Sequence, residues 1–135
     1  MLFALAALVF FHAYVAVQGL KNPLPVESKD TFETLNSLYS DNLEWSDEWA
    51  KKALEYLKSK NSVKADLVIK GKKSFPVDDT QLLWQKVLAF LEPRFDKKEK
   101  ALERLPKGTV YGCNGFINKK GNKDIISAAC LYKKP

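Results

Sequence analysis

The sequence predicts an α+β domain closed at its C-terminal end by a disulfide-linked hairpin. Three observations predict it. Apolar residues recur at helical spacing in several segments between residues 31 and 91. Two strand-like segments, Thr109–Ile117 and Asp124–Tyr132, end the chain around a turn signal. The two cysteines, Cys113 and Cys130, fall one in each of these segments.

The N-terminus stands apart. No charged side chain precedes Lys21, and Met1 to Leu20 is almost wholly apolar. A short apolar run followed by small residues reads as a secretory signal peptide. Val17 and Gly19 supply those small residues, so cleavage is expected after Gly19. The alternative is a membrane anchor, because a run of about 17 to 20 apolar residues is at the lower edge for a span. The segment Lys21–Lys29 holds Pro23 and Pro25 and shows no periodicity, so it reads as a linker or surface arm. The expected organisation is therefore a signal peptide at 1–19, a linker arm at 20–29 and one folded domain at 30–135.

Size and charge narrow the function classes. A chain of 135 residues suits one domain, and about 116 residues remain after the leader, enough for one modest core. The net charge of +6 lies wholly beyond the leader. Its basic residues are lysines except Arg94 and Arg104. Sites for nucleic-acid phosphates favour arginine, and these lysines are interleaved with acids over most of the chain. A solvated surface is expected, with no nucleic-acid partner. From Lys119 to Pro135, however, five lysines face only Asp124, so a mild basic patch and an anionic surface as partner are expected there.

The helices follow from spacing and caps. Asp30 with Glu33 resembles a capping box before a short helix, Thr31–Tyr39, that places Phe32, Leu35, Leu38 and Tyr39 on one face. Ser46 is a good N-cap for a second helix, Asp47–Lys58. Asp47 and Glu48 sit where the helix dipole favours anions, and Trp49, Ala50, Ala53, Leu54 and Leu57 form its apolar face. Asp78 or Asp79 caps a third helix through about Leu91, which Pro93 ends. Lys97–Leu105 is helical in propensity and stops at Pro106. Between these, Val63–Lys70 alternates as a strand does, and Gly71–Ser74 reads as a loop.

The hairpin is specified twice. Gly121-Asn122 is a favoured two-residue turn of type II′. Pairing Lys120 with Lys123 then sets every further pair and brings Cys113 opposite Cys130. Counting outward from the turn, that pair is non-hydrogen-bonded, where side chains approach most closely. An even cysteine count beyond a secretory leader independently implies a disulfide. Closing a loop of this length contributes roughly 3 kcal/mol in the chain-entropy model.

Catalytic machinery is not legible. The only histidine, His12, lies in the leader. The mature chain thus has no histidine base, no Ser-His-Asp or Cys-His arrangement, and lacks the commonest zinc ligand. No P-loop, dinucleotide fingerprint or EF-hand loop occurs. The adjacent carboxylates Asp47/Glu48 and Asp78/Asp79 lie at helix starts, where capping explains them better than a glycosidase-type pair. No catalytic residue, metal ligand or cofactor is expected. Trp45, Trp49 and Trp84 are the candidates for lining a ligand groove, although Trp49 and Trp84 are expected first of all to fill the core.

Two stretches resemble the CAP superfamily of cysteine-rich secretory proteins, venom allergens and plant pathogenesis-related proteins. Leu35-Asn36-Ser37-Leu38-Tyr39, then Leu43-Glu44-Trp45-Ser46-Asp47-Glu48-Trp49-Ala50-Lys51-Lys52-Ala53, is similar to its first helix and the opening of its second. Gly112-Cys113 with Cys130-Leu131-Tyr132 resembles its two closing strands, which a disulfide joins. In the middle, Thr80–Trp84 is similar to one family signature, with Asp78 where histidine is expected. The better-spaced alternative puts Leu82–Phe90 on a family helix. Leu35 stands where the first cleft histidine is expected and the second is missing, so no metal or catalytic residue carries over. The resemblance implies a three-layer α-β-α sandwich with a small antiparallel sheet, secretion, and a recognition role, with a lipid or an extracellular protein as ligand. The expectation is thus a secreted, non-enzymatic recognition protein; the alternative is a cationic host-defence or membrane-surface-binding protein.

Overall fold

A computed structural model describes residues 21–60 and 62–135. The expected signal peptide, its cleavage site and His12 lie outside the described residues. The hairpin forms the centre. β4 (Thr109–Lys120) and β5 (Lys123–Lys133) pair antiparallel from Lys120↔Lys123 out to Val110↔Lys133. Gly121 turns the chain with φ +63°, and no described non-glycine residue has positive φ. A positive φ at the first turn position alone is the type II′ pattern. Cys113 lies opposite Cys130 and is bonded to it, their Cα atoms 4.0 Å apart.

Three more strands complete the sheet. β1 (Lys21–Pro23) pairs antiparallel with β4, and β3 (Leu67–Pro76) antiparallel with β5. β2 (Leu43–Trp45) runs parallel to β4, so the sheet is not purely antiparallel. The order is β1-β4-β5-β3, with β2 also on β4. Two readings of the sequence are corrected here. Gly71–Ser74 is not a loop but the interior of β3. Its lysines are tolerated because β3 is an edge strand, where charge also guards against further pairing. Gly71 lies against α3 (Leu83–Lys97), where a Cβ would sit 2.7 Å from a ring carbon of Phe90. The segment 21–29 is likewise no free arm. It supplies β1, its Leu24 N–H donates to Gly115 O at 3.1 Å, and the Leu24 side chain is buried.

The helices differ from expectation at their ends. α1 spans Ser28–Ser37, begins earlier than the expected capping box, and has Glu27 at its N-cap with no side-chain bond. It buries Phe32, Leu35 and Asn36, while Leu38 is 73% exposed. At about 100° per residue, Asn36 lies about 40° from Phe32 on the inward side, and Leu38 is carried about 120° from it. α2 spans Asp47–Lys58 as expected, and Ser46 Oγ accepts from Trp49 N–H at 3.2 Å. α3 continues through Pro93, whose missing N–H removes one helical bond. Leu91 and Phe95, both fully buried, hold the helix together on either side of it. Leu82 rather than an aspartate is its N-cap, and Gln85 Oε1 accepts from Leu82 N–H at 3.0 Å. A one-turn α4, Glu99–Glu103, follows.

Two apolar clusters hold these parts. Phe32, Leu35, Val87, Phe90, Leu91 and Phe95 pack with Ile69, Tyr111, Cys113, Cys130 and Tyr132. Trp49 and Ala53 of α2 pack with Leu131, beside Val68 and Val110. The two clusters draw on alternating residues of β4 and β5, which point to opposite faces of a strand. Each face of the hairpin is thus buried at its open end.

Candidate functional site

Cross-strand partners share a face of a sheet, so the register identifies what the rest of the α2 face carries. Lys21, Asn118, Ile125 and Ser74 form one row across the four strands; Phe116, Ser127 and Lys72 form the next; Ala129 and Lys70 follow. α2 sits farther along, over Gly112 and Leu131. No described helix covers the half nearest the hairpin turn. There the surface sinks into a groove of about 420 Å³. Phe116, Ile125 and Leu57 give it an apolar floor, with Asn118 and Ser127 as polar contacts. Lys21, Lys60, Lys70, Lys72 and Arg94 stand around it, and no carboxylate does.

This concentration of one sign of charge has a physical consequence. Among the described residues, none of these five cations makes an ion pair. Lys21 Nζ instead lies 5.1 Å from the centroid of the Phe116 ring, and Lys70 Nζ 5.5 Å from that of Tyr56. Aromatic faces attract ammonium groups, but they do not cancel charge. A concave basic site raises the local concentration of anions, and a bound anion relieves the mutual repulsion of its lysines.

Behind the sheet lies a second polar feature, fully enclosed. Asn36 is 1% exposed. Its Nδ2 donates to Phe32 O at 2.9 Å and approaches Cys113 Sγ at 3.5 Å and Cys130 Sγ at 3.9 Å. Its Oδ1 accepts from the Tyr132 hydroxyl. Tyr132 stacks on Tyr111 with ring centroids 5.8 Å apart, and Trp45 meets Tyr111 edge-on at 5.3 Å. Every hydrogen-bonding atom of the Asn36 amide is thus engaged where water cannot reach, which is what burying it demands.

Burial pushes Tyr132 well above the ordinary tyrosine value. Burial first, and the Glu33 charge second, push Tyr111 up to about 12. Tyr39 also rises to about 12, through burial and then its hydrogen bond to Asp96. These phenols ionise near pH 10 in the unfolded chain, roughly the free-tyrosine value. The unfolded state therefore loses its protons first as pH rises. For Tyr39 and Tyr111 the contribution to stability is fully present below about pH 10 and is lost as pH climbs through about 12. The urea midpoint is expected to fall over that window. In Tyr111→Phe it falls less, while the variant matches the wild type at neutral pH. Equal alkaline losses in both proteins would show that Tyr111 does not contribute.

The tryptophans do not share one groove. Trp49 is buried in the α2 cluster. Trp45 borders a cavity of about 220 Å³ beside Lys29 and Phe32. Trp84, expected in the core, is 49% exposed and lines a separate cleft of about 250 Å³ between α1 and α3, with Leu38 and Leu88. It lies in the first turn of α3, where α1 only partly covers it. Asp47 Oδ1 accepts from Trp45 Nε1–H at 2.9 Å, and Asp79 Oδ1 accepts from Gln81 N–H at 2.8 Å. One member of each carboxylate pair thus has a local structural bond. The C-terminal lysines are divided. Lys119, Lys120 and Lys123 flank the turn, and Lys133 and Lys134 lie at the other end of the hairpin, roughly 30 Å away along β5. None of them lines the groove. The groove cations escape a linear reading because they come from β1, the end of α2, β3 and α3. Only Lys70-Gly71-Lys72 carried a signal: two lysines at strand spacing, once that segment is recognised as a strand.

Comparison with known proteins gives the family context. The family described as "15 kDa excretory/secretory protein" matches residues 31–134. A "30 kDa antigenic glycoprotein" of Trichostrongylus colubriformis is 35% identical over 104 residues, covering 77% of each chain. A "15 kDa excretory/secretory protein" of Haemonchus contortus is 32% identical over 111 residues, covering 77% of this chain and 75% of its own. No solved structure matches significantly. The matching family is not the CAP superfamily, so that resemblance is overturned. The residues that suggested it have general structural work here. Ser46 caps α2, Gly112 admits the backbone of α2, and Cys113 and Cys130 join neighbouring strands. Such demands recur in unrelated folds.

Proposed function

The chain belongs to the 15 kDa excretory/secretory protein family, and on that premise we propose that it is a non-catalytic recognition protein that holds an anionic ligand in the lysine-lined groove. It is a secreted, extracellular protein. The observation that carries the reading is the groove itself: five cations around about 420 Å³, with no carboxylate among the lining residues. Its volume is in the range of about 300–1,000 Å³ that holds small ligands. The sequence beyond residue 20 has no histidine, Asp47 and Glu48 open α2, and Asp79 bonds the Gln81 N–H in the turn before α3, which supports recognition rather than catalysis. A three-layer α-β-α arrangement, with α2 over one face and α1 and α3 over the other, fits this role. Among the described residues it leaves the turn end of the α2 face open to a ligand.

The test is thermal unfolding of the mature chain at low ionic strength with inorganic phosphate, decanoate or a sulfated polysaccharide. At least one should raise the melting temperature of the wild type, and Lys70→Gln/Lys72→Gln should lose most of that gain. Both residues lie on an edge strand and neither is in an ion pair, so the variant should fold. No response to any anion, or the same response in the variant, would overturn the reading.

A further inference from the structure

We infer that the ligand of this groove is a single-chain anionic amphiphile, with its head group at the β3 side and its alkyl chain laid across the sheet towards β1. The inference rests on the anion-binding reading above and adds the apolar part of the ligand.

Charge alone does not explain the groove. A site for a sulfated polymer needs a track of cations on a polar surface. Here the cations stand around apolar surface: Ile125 and Leu57 are half-buried, and Phe116, 8% exposed, lies beneath the Lys21 ammonium group. Phe116 and Ile125 lie side by side on β4 and β5, because their partners Ser127 and Asn118 belong to adjacent rows of one face. Leu57 walls the groove from the end of α2. On the same face nearer the open end, α2 buries the apolar residues with Trp49 and Ala53. At the turn end none of the described helices does so. Apolar surface ringed by cations is complementary to a molecule with an acyl chain and an acidic head.

The distribution of charge gives the orientation. Lys60, Lys70, Lys72 and Arg94 gather about the β3 edge, where several ammonium groups and one guanidinium can surround a carboxylate or phosphate. Lys21 alone stands at the opposite edge, over Phe116. From β3 across β5 and β4 to β1 is three strand spacings, roughly 14 Å. A medium-length alkyl chain spans that distance over Ile125 and reaches Phe116 once the Lys21 side chain swings off its ring. Ser127, on β5 beside Lys72, remains available to hydrogen-bond the head. The shared chemistry is a monoacyl or monoalkyl anion; a carboxylate and a phosphate head are separated by experiment.

Calorimetric titration of the mature protein with octanoate, decanoate, decyl phosphate, decanol and acetate, each below its micelle concentration, tests this. Decanoate or decyl phosphate should bind one to one, and the tighter of the two identifies the head group. Removing two methylenes, from decanoate to octanoate, should weaken binding about 10-fold at roughly 3- to 4-fold per buried methylene. Decanol should bind at least about 10-fold more weakly, one tenfold step being 1.4 kcal/mol. Ile125→Thr keeps a β-branched residue in the strand. It should weaken decanoate several-fold more than it weakens inorganic phosphate, and equal losses for the two would count against the apolar track. If decanoate binds no tighter than acetate while phosphate or the sulfated polysaccharide still binds through Lys70 and Lys72, the amphiphile is wrong and the anion site stands. If no anion binds at all, both readings fail.

Discussion

Reducing the Cys113–Cys130 bond is expected to lower the melting temperature by roughly 10–15 °C, because an unfolded chain freed of the crosslink regains about 3 kcal/mol of entropy. The sequence separation is 17 residues, so the loop is short and its closure term moderate. The loss is nonetheless large against the roughly 5–15 kcal/mol that holds a typical domain together. The native state should change little on reduction, since β4 and β5 keep their ladder and Asn36 keeps its bonds to Phe32 and Tyr132. The effect therefore falls on the unfolded chain, and a chemically reduced protein should give a native-like spectrum at 20 °C, roughly the temperature of maximum stability. Cys113→Ala/Cys130→Ala should be worse than reduction. It removes two sulfur atoms from a core where both residues are almost fully buried, leaving a void beside Asn36. Melting curves with and without reductant, alongside the double variant, check both statements. A shift below about 3 °C, less than 1 kcal/mol, would show that the hairpin already restricts the unfolded chain without its bond. A persistent oxidised hairpin also suits a protein that works outside the cell.

What could be read from the sequence was the part fixed by neighbours along the chain. Ser46 and the residues after it define α2 because a cap and an apolar stripe are local signals. Gly121 and Asn122 define the hairpin because a turn type dictates register, and register dictates which cysteine faces which. The failures are equally physical. Gly71–Ser74 looks like a loop because its lysines hide the alternation, yet it lies within the ladder that pairs all of Leu67–Pro76 with β5. Leu38 looked buried and Asn36 did not. The pairing of Asn36 with Tyr132, 96 residues away, is what permits an amide inside, and no local pattern announces it. Pro93 looked like a stop, but buried Leu91 and Phe95 carry α3 past it. The groove was least legible. It exists only where a register, a helix end and an edge strand meet, and its lysines are unremarkable one at a time.

Replacing Gly112 with alanine is expected to cost about 3 kcal/mol or more, above what a buried methyl usually costs when overpacked. A Cβ on Gly112 would lie 2.0 Å from Ala50 N and 2.3 Å from Trp49 C. These are backbone atoms in the first turn of α2, so no rotamer change clears them. Either β4 bends or the helix lifts. Lifting breaks the packing of Trp49 and Ala53 on Leu131 and the hydrogen bond from Asn114 Nδ2 to Ala50 O at 3.1 Å. Gly71→Ala is the comparison. Its Cβ also meets an atom too closely, at 2.7 Å, but that atom belongs to the Phe90 side chain, which can turn. The loss there should be smaller, within the usual range of about 1–3 kcal/mol. Urea unfolding of both variants gives the order. Near-equal losses would mean that α2 is loosely seated and yields without cost. The second consequence reaches the groove, because Leu57 stands in the last turn of the same helix and Lys60 just beyond it. If α2 is the rigid wall that shapes the groove, the folded fraction of Gly112→Ala should bind the anionic probe more weakly than Gly71→Ala. If instead the sheet face alone forms the site, the two should bind alike despite their different stabilities.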